Sequence, residues 1–355
     1  MRNSIVLFLV LVLLVLVRSV LSRPVYKEGQ VIRITTRVTS EPIRYASSQS
    51  FNLLGLKISL PLFPEISYGD VVKIEGEVIK GKLDQAKLVG IKESNGFLFG
   101  LRKKIIEFYQ KSLPEPHSAL VAGITLGSKS ALPQNFWDLL KKTGTAHVVV
   151  ASGMNVTMTA SFLIGILLLF LNRKKALILA ISGIWVYVVL SGLDAPIIRA
   201  AIMVSFAYGA QISGRLTNSW RIFFLTGLVM LLIKPSWISD LGFVLSFTAT
   251  ASLMLFEKKA AKLFAKIPVF FREGLTTSLS AQIGVAPILY LAFGQFNILS
   301  PIINALILWT VAPIMIIGVA GGIVGLAIPA VGKLILYLAY PMTWWFTNVI
   351  KLFAD

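Results

Sequence analysis

The sequence has no cysteine among its 355 residues and only two histidines, His117 and His147. Without thiols there are no disulfides, thiolate metal sites or cysteine nucleophiles, and two histidines cannot furnish a multi-histidine metal centre. No metal and no cofactor is therefore expected. Acidic residues are scarce where the chain is most apolar: of 16 in all, seven follow residue 112 (Glu115, Asp138, Asp194, Asp240, Glu257, Glu273 and Asp355). A carboxylate at the bilayer centre costs roughly 3 kcal/mol even on the mildest scale, so hydrocarbon selects such acid-poor stretches. Glycine-rich phosphate loops are absent too, so any transport is powered by another protein.

What is present is hydrophobic residue, at 56% against 14% charged, outside the range of ordinary soluble domains. The net charge of +18 has two readings. Lysine and arginine gather in cytoplasmic loops of membrane proteins, or they attract a polyanion such as nucleic acid. Charge alone does not separate them.

Four regions follow along the chain. Residues 1–23 are expected to be a transmembrane anchor, since Ser22-Arg23-Pro24 suits signal cleavage poorly. Residues 24–96 alternate apolar and polar positions, rich in Val, Ile and Thr and punctuated by Pro42, Pro61, Pro64, Gly69, Gly76 and Gly81. That is a run of about five short antiparallel strands, in an OB-like barrel or a small sandwich. Residues 97–144 read as interfacial amphipathic helices; Phe97, Leu101, Ile105 and Phe108 share one face, with Arg102, Lys103, Lys104 and Lys111 around it. Residues 145–355 form a multi-helix transmembrane domain, with spans near 147–171, 176–193, 197–213, 219–233, 237–256, 275–293, 299–318 and 333–352 and an irregular stretch at 318–330. The fold class is thus an α-helical polytopic membrane protein of about eight to nine transmembrane helices, some discontinuous, with an N-terminal all-β OB-like domain.

Basic residues fall in every second loop: Arg173-Lys174-Lys175, Arg215 with Arg221, and the segment from Glu257 to Arg272. The alternate loops hold a single lysine, Lys234. The basic loops are therefore expected in the cytoplasm, with the β-rich region outside.

Several spans carry residues that lipid-facing helices avoid. TAHVVVASGMNVTMTASF places His147, Ser152, Gly153, Asn155, Thr157 and Thr159 in one span. A break at Ser152-Gly153 would turn polar groups toward a cavity; close helix packing is the alternative. Arg199 lies about one turn inside its span, either snorkelling or paired in the bundle with Asp194 or Asp240. A polar cavity lined by it would favour an anion. Gly242, Ser246 and Thr250 make a small-residue stripe, while Gln282 with Pro287, and Asn304 with Pro313 and Gly321-Gly322, suggest discontinuous helices around a path. Ser152 and His147 have no third group to orient the histidine, so an intramembrane hydrolase is not favoured and no catalytic residue is assigned.

The segment TGTAHVVVASGMNV resembles the signature of the ComEC competence-protein family, whose members read close to G-x-x-H-L-L-A-I-S-G-L-H. SGLDAPIIRAAIM, the GFVLSF that follows KPSWISD, and SAQIGVAPILYLAFGQFNILSPIINALILWTVAP continue it in order, over about residues 118–315. The resemblance implies a channel in the cytoplasmic membrane that passes single-stranded DNA during natural transformation, with Arg199 and the break at Ser152-Gly153 lining or shaping the path. It also implies an extracytoplasmic OB-like domain that receives DNA by stacking and basic grooves. Tyr45, Phe51 and Tyr68 with Arg33, Arg37 and Arg44 are the candidates there, barrel-core packing being the other reading of the aromatics. Many members carry a C-terminal metallo-β-lactamase-type domain with a multi-histidine zinc signature. These residues contain no such motif, so a separate nuclease is expected, together with a DNA receptor and a cytoplasmic motor. The family's histidine after S-G-L is Asn155 here. The alternatives are a permease or flippase for a small or lipidic anion, and a scaffold that assembles partners.

Overall fold

The computed structural model describes residues 14, 17 and 18 and residues 26–354 apart from 46, 151, 217, 295 and 296, with the backbone alone of 270 and 293. The anchor expected at 1–23 lies outside the described residues except for Leu14, Val17 and Arg18.

Strict alternation in the N-terminal region produces strands β1 (Val31–Arg37), β2 (Ile43–Arg44), β3 (Ser48–Leu53), β4 (Leu56–Pro61), β5 (Val71–Ile79) and β6 (Lys82–Lys92). In β4 each second residue is buried, the period that places Leu56, Ile58 and Leu60 inside and Lys57 and Ser59 out. β3 and β4 meet through Leu54-Gly55, and β5 and β6 through Lys80-Gly81, both pairs at positive φ as tight hairpins of matching twist require. The strand order is β1-β5-β6-β4-β3-β2, antiparallel except for β4 beside β6. The two ends of that order, β1 and β2, are consecutive in the chain. They act as halves of one bent strand, so the sheet closes through the chain itself. Five strands closed in this way, with one parallel pair, form an OB-like barrel rather than a sandwich. Val38 and Ile58, at 0% exposure, with Phe51, Ile66, Val72 and Ile74 fill its interior.

Thirteen α-helices follow among the described residues: α1 (Phe97–Ser112), α2 (His117–Leu126), α3 (Gln134–Lys142), α4 (Ala146–Val149), α5 (Gly153–Phe170), α6 (Arg173–Ser191), α7 (Ala195–Ile212), α8 (Ser219–Ile233), α9 (Leu241–Leu263), α10 (Val269–Phe293), α11 (Ser300–Ala327), α12 (Pro329–Tyr337) and α13 (Tyr340–Ala354). Among the described residues, six segments are long and apolar enough to cross a membrane: Ala146–Phe170, Arg173–Ser191, Ala195–Ile212, Leu241–Leu263, Phe271–Ala292 and Ser300–Ala327. At 15 residues, α8 is shorter than the usual span.

Four expectations are corrected. Residues 318–327 are helical, because Gly318, Gly321, Gly322 and Gly325 let α11 pack tightly against α1, α2 and α12. The helix stops at Ile328, ahead of Pro329, and the single span expected over 333–352 is divided between α12 and α13. Pro287 and Pro313 lie within continuous helices, so neither α10 nor α11 is interrupted there. Finally, α2 is not interfacial. All ten of its residues are buried, wrapped by α1, α11, α13 and others of the bundle.

Candidate functional site

The barrel is fixed to the bundle through one carboxylate. Glu41 sits in the corner between β1 and β2, where the chain bends around Pro42, and is 8% exposed. Its Oε2 accepts from Arg102 Nη2 of α1 at 3.0 Å and from the Lys129 N–H at 2.8 Å, and its Oε1 from Ser128 Oγ at 2.9 Å and Ser130 Oγ at 2.6 Å. This cradle exists because α2 ends on Gly127 in the left-handed region, φ 67°, turning residues 128–130 toward the barrel. Burial pushes the Glu41 carboxyl up, but the Arg102 charge and the hydrogen bonds from Ser130, Lys129 and Arg102 outweigh it and hold the group below the usual carboxylate value. Arg102 also donates to the Leu126 carbonyl at 3.0 Å and lies over the Tyr68 ring at 5.1 Å. Tyr68 in turn donates to the Val189 carbonyl of α6 at 2.9 Å.

The same loop reaches the start of α7, where Lys129 Nζ binds Asp194 Oδ2 at 2.8 Å. Asp194 is therefore not the partner of Arg199. Nor is Asp240, whose Oδ1 caps α9 by accepting from Phe243 N–H at 2.8 Å. Arg199 is 9% exposed, with Nη1 4.0 Å from Met203 sulfur and the guanidinium 5.9 Å from the centre of the Phe247 ring. Snorkelling is excluded by that burial, and pairing by the absence of a carboxylate within reach among the described residues.

The helix break expected at Ser152-Gly153 is present: α4 ends at Val149 and α5 begins at Gly153. Arg199 lies beside it, since a Cβ on Gly153 would stand 2.8 Å from Nη2. Ser152 donates to Asn155 Oδ1 at 3.2 Å, and Asn155 Nδ2 donates to the Ile124 carbonyl near the end of α2 at 2.9 Å. Asn155 is fully buried, so its side chain ties α5 to α2 without any solvent-facing chemistry. Histidine can offer a ring N–H at a similar reach. Asn155→His is expected to keep the wild-type thermal midpoint, whereas Asn155→Leu, which strands the Ile124 carbonyl and the Ser152 hydroxyl at about 1–3 kcal/mol each, is expected to lower it.

The starts of α5, α7 and α9 converge here. The Pro196 carbonyl is 3.9 Å from a Cβ built on Gly153, and the Pro196 ring is 3.8 Å from one built on Gly242. Gly242 thus packs against α7. The tight α9–α10 contact runs instead through Ser252, which donates to the Ser280 carbonyl at 2.6 Å. Ser246 lies one turn before Thr250, whose hydroxyl its carbonyl accepts.

Other expected residues fall elsewhere. His147 is exposed, its Nδ1 3.1 Å from the Gly144 carbonyl of its own turn. Gln282 donates to the Asn297 carbonyl at 3.1 Å and Asn304 to Ser278 Oγ at 2.7 Å, fastening α10 to α11 and its preceding loop. On the barrel, Phe51 is buried at 4% and Tyr68 at 6%; both aromatics serve packing and are closed to a stacking base. Arg33 pairs with Glu75, Arg44 with Glu65, and Arg37 covers Phe99. Tyr45 remains exposed, and Phe63, absent from the expected set, is 72% exposed. Their loops are joined by the Leu62 N–H to Ser47 carbonyl bond at 3.2 Å. Its place in a proline-flanked LFP run was the available signal for Phe63. Glu41 and Lys129 were missed because their partners are remote in sequence. No group of three or more metal-binding side chains occurs among the described residues.

A family model described as competence protein matches residues 124–355. ComE operon protein 3 of Bacillus subtilis (strain 168) is 29% identical over 265 residues, covering 73% of this chain and 33% of that protein. Competence protein ComA of Neisseria gonorrhoeae is 25% identical over 218 residues, covering 56% of this chain and 30% of its own length. The uncharacterized protein YcaI of Escherichia coli (strain K12) is 26% identical over 163 residues, covering 43% of this chain and 22% of its own. This chain spans a third or less of each of these relatives. No solved structure matches. With the family match extending over more than half of the residues, from within α2 through the helix break to α13, the chain belongs to the competence protein family.

Proposed function

We propose that this protein passes single-stranded DNA across the cytoplasmic membrane during natural transformation, with the barrel on the outer face as the receiving domain. The observation that carries the reading is the placement of the barrel. Glu41 and Tyr68 fasten it to the loop after α2 and to the end of α6, and through Lys129 to the start of α7, beside the break between α4 and α5. A strand held on the barrel is thereby led to a polar interruption of the bundle where a buried arginine has no carboxylate partner among the described residues. The distribution of basic residues supports the orientation, because Arg173–Lys175, Arg215 with Arg221, and Lys258–Arg272 flank one set of helix ends while Lys234 stands alone at the other. Names of relatives in Bacillus subtilis and Neisseria gonorrhoeae point the same way.

On this reading the exposed pair Tyr45 and Phe63 offers stacking platforms, with Arg44 beside them, to a strand recognised without sequence preference. These residues act, on this reading, as a conduit, and the nuclease, receptor and motor activities lie outside them. Deleting the gene in a transformable host is expected to abolish entry of labelled DNA into the cytoplasm while surface binding persists. Normal transformation of that strain would sink the proposal. A permease for a small or lipidic anion predicts instead full transformation with a transport defect for the anion.

A further inference from the structure

A buried cation without a counter-ion among the described residues lies against the positive end of a helix, and that combination calls for an anion. Arg199 is nine-tenths buried, its Nε has no hydrogen-bond partner, and the two nearby carboxylates are committed, Asp194 to Lys129 and Asp240 to its own helix. Its Nη2 stands over the first residue of α5, where a Cβ on Gly153 would be only 2.8 Å away. Ser152, the N-cap of that 18-residue helix, offers no cap; its hydroxyl is turned to Asn155. The Asn155 N–H bonds the Ser152 carbonyl at 3.1 Å, which leaves the N–H groups of Gly153 and Met154 without an acceptor among the described residues, and they present the helix's partial positive charge to the guanidinium. Like charges are held together here with the neighbouring acids spent.

We infer that Arg199 and the first turn of α5 form a binding site for one phosphodiester-type oxyanion. The guanidinium fork suits the two non-bridging oxygens of such a group, and the N–H groups of a helix start add donors to the same two oxygens. Gly153 is required at this position because any side chain would displace the tip of Arg199. The origin of the ligand rests on the conduit reading: it is a backbone phosphate of the passing strand, held transiently at the level of the break.

The test uses the full chain in uncharged detergent and reads its thermal midpoint with sodium dimethyl phosphate against sodium chloride at equal ionic strength. Wild type is expected to rise by about 2 °C or more once the phosphodiester well exceeds its Kd. Arg199→Gln is expected to show no rise, and in chloride alone to be at least as stable as wild type, because the uncompensated cation is gone. A merely structural arginine gives the opposite sign in chloride. Gly153→Ala keeps the charge but moves the guanidinium, and is expected to reduce the rise. No rise in wild type with either dimethyl phosphate or phosphatidylglycerol, or an equal rise in Arg199→Gln, overturns the site. A rise given by phosphatidylglycerol in mixed micelles and not by dimethyl phosphate overturns the strand as ligand in favour of a lipid headgroup. The two proposals fail separately: an anion response lost in Arg199→Gln with normal transformation of the deletion strain upholds the site and sinks the conduit, while lost transformation of the deletion strain without any anion response does the reverse.

Discussion

Glu41→Ala is expected to release the barrel from the bundle. The variant leaves the Arg102 guanidinium buried without its carboxylate, and removing one partner of a buried ion pair costs about 3–5 kcal/mol. It also strands the Ser128 and Ser130 hydroxyls and the Lys129 N–H, all of which now converge on that side chain. A lower thermal midpoint, and protease cleavage appearing at residues 93–96 between β6 and α1, are the measurements that register it; an intact cleavage pattern would show that the barrel is held by other contacts. Glu41→Gln keeps much of the geometry and loses the charge, so its effect should be smaller. The pH dependence has a definite sign. Glu41 has a lowered value in the folded protein, so its contribution is complete above the ordinary carboxylate range and is lost as pH falls through the lowered native value. Wild type should therefore lose stability on acidification more steeply than Glu41→Gln, and the two curves should approach each other at the acid end.

Gly332→Ala is expected to prevent the protein from accumulating. A Cβ at that position would collide with Gly325 Cα and lie 2.5 Å from Gly325 N and 2.8 Å from the Gly321 carbonyl oxygen. All three are backbone atoms, so no rotamer change relieves the clash and α12 must move away from α11. Overpacking commonly costs about 1–3 kcal/mol where side chains can adjust; here the adjustment is a shift of two helices. Gly165→Ala is the matched control, because nothing lies within 4 Å of its Cβ. Membrane-fraction immunoblots of the two variants decide the matter, and equal abundance would count against tight α11–α12 packing.

Much of the fold was legible in the sequence because two periods are local properties. Alternation from Val31 to Lys92 and long apolar runs after Ala146 show barrel and spans without any knowledge of contacts. The break at Ser152-Gly153 was legible for the same reason, as a cluster of small and polar residues inside an apolar run. What was not legible depends on partners distant in the chain. Asp194 stands five residues from Arg199 and looks like its counter-ion until Lys129, 65 residues earlier, is seen to hold it. Glu41 is one carboxylate in a charged β region, and nothing near it distinguishes the residue that meets Arg102 from its neighbours. Phe51 and Tyr68 have the composition of a stacking surface, yet the barrel turns one inward and the bundle covers the other. Gly321-Gly322 suggested a broken helix because glycine weakens helices in water; here its lack of a side chain admits Tyr109 and Leu336.

The complete burial of α2 bears on how the molecule is assembled. Ten residues rise about 15 Å, half the depth of the hydrocarbon layer, so this helix cannot establish itself across a bilayer when it is synthesised. Its side chains Val121 and Thr125 fit against Gly318 of α11, nearly 200 residues later. The receptacle for an early segment is supplied by a late one, which makes α2 a keystone, set after the arch around it has been raised.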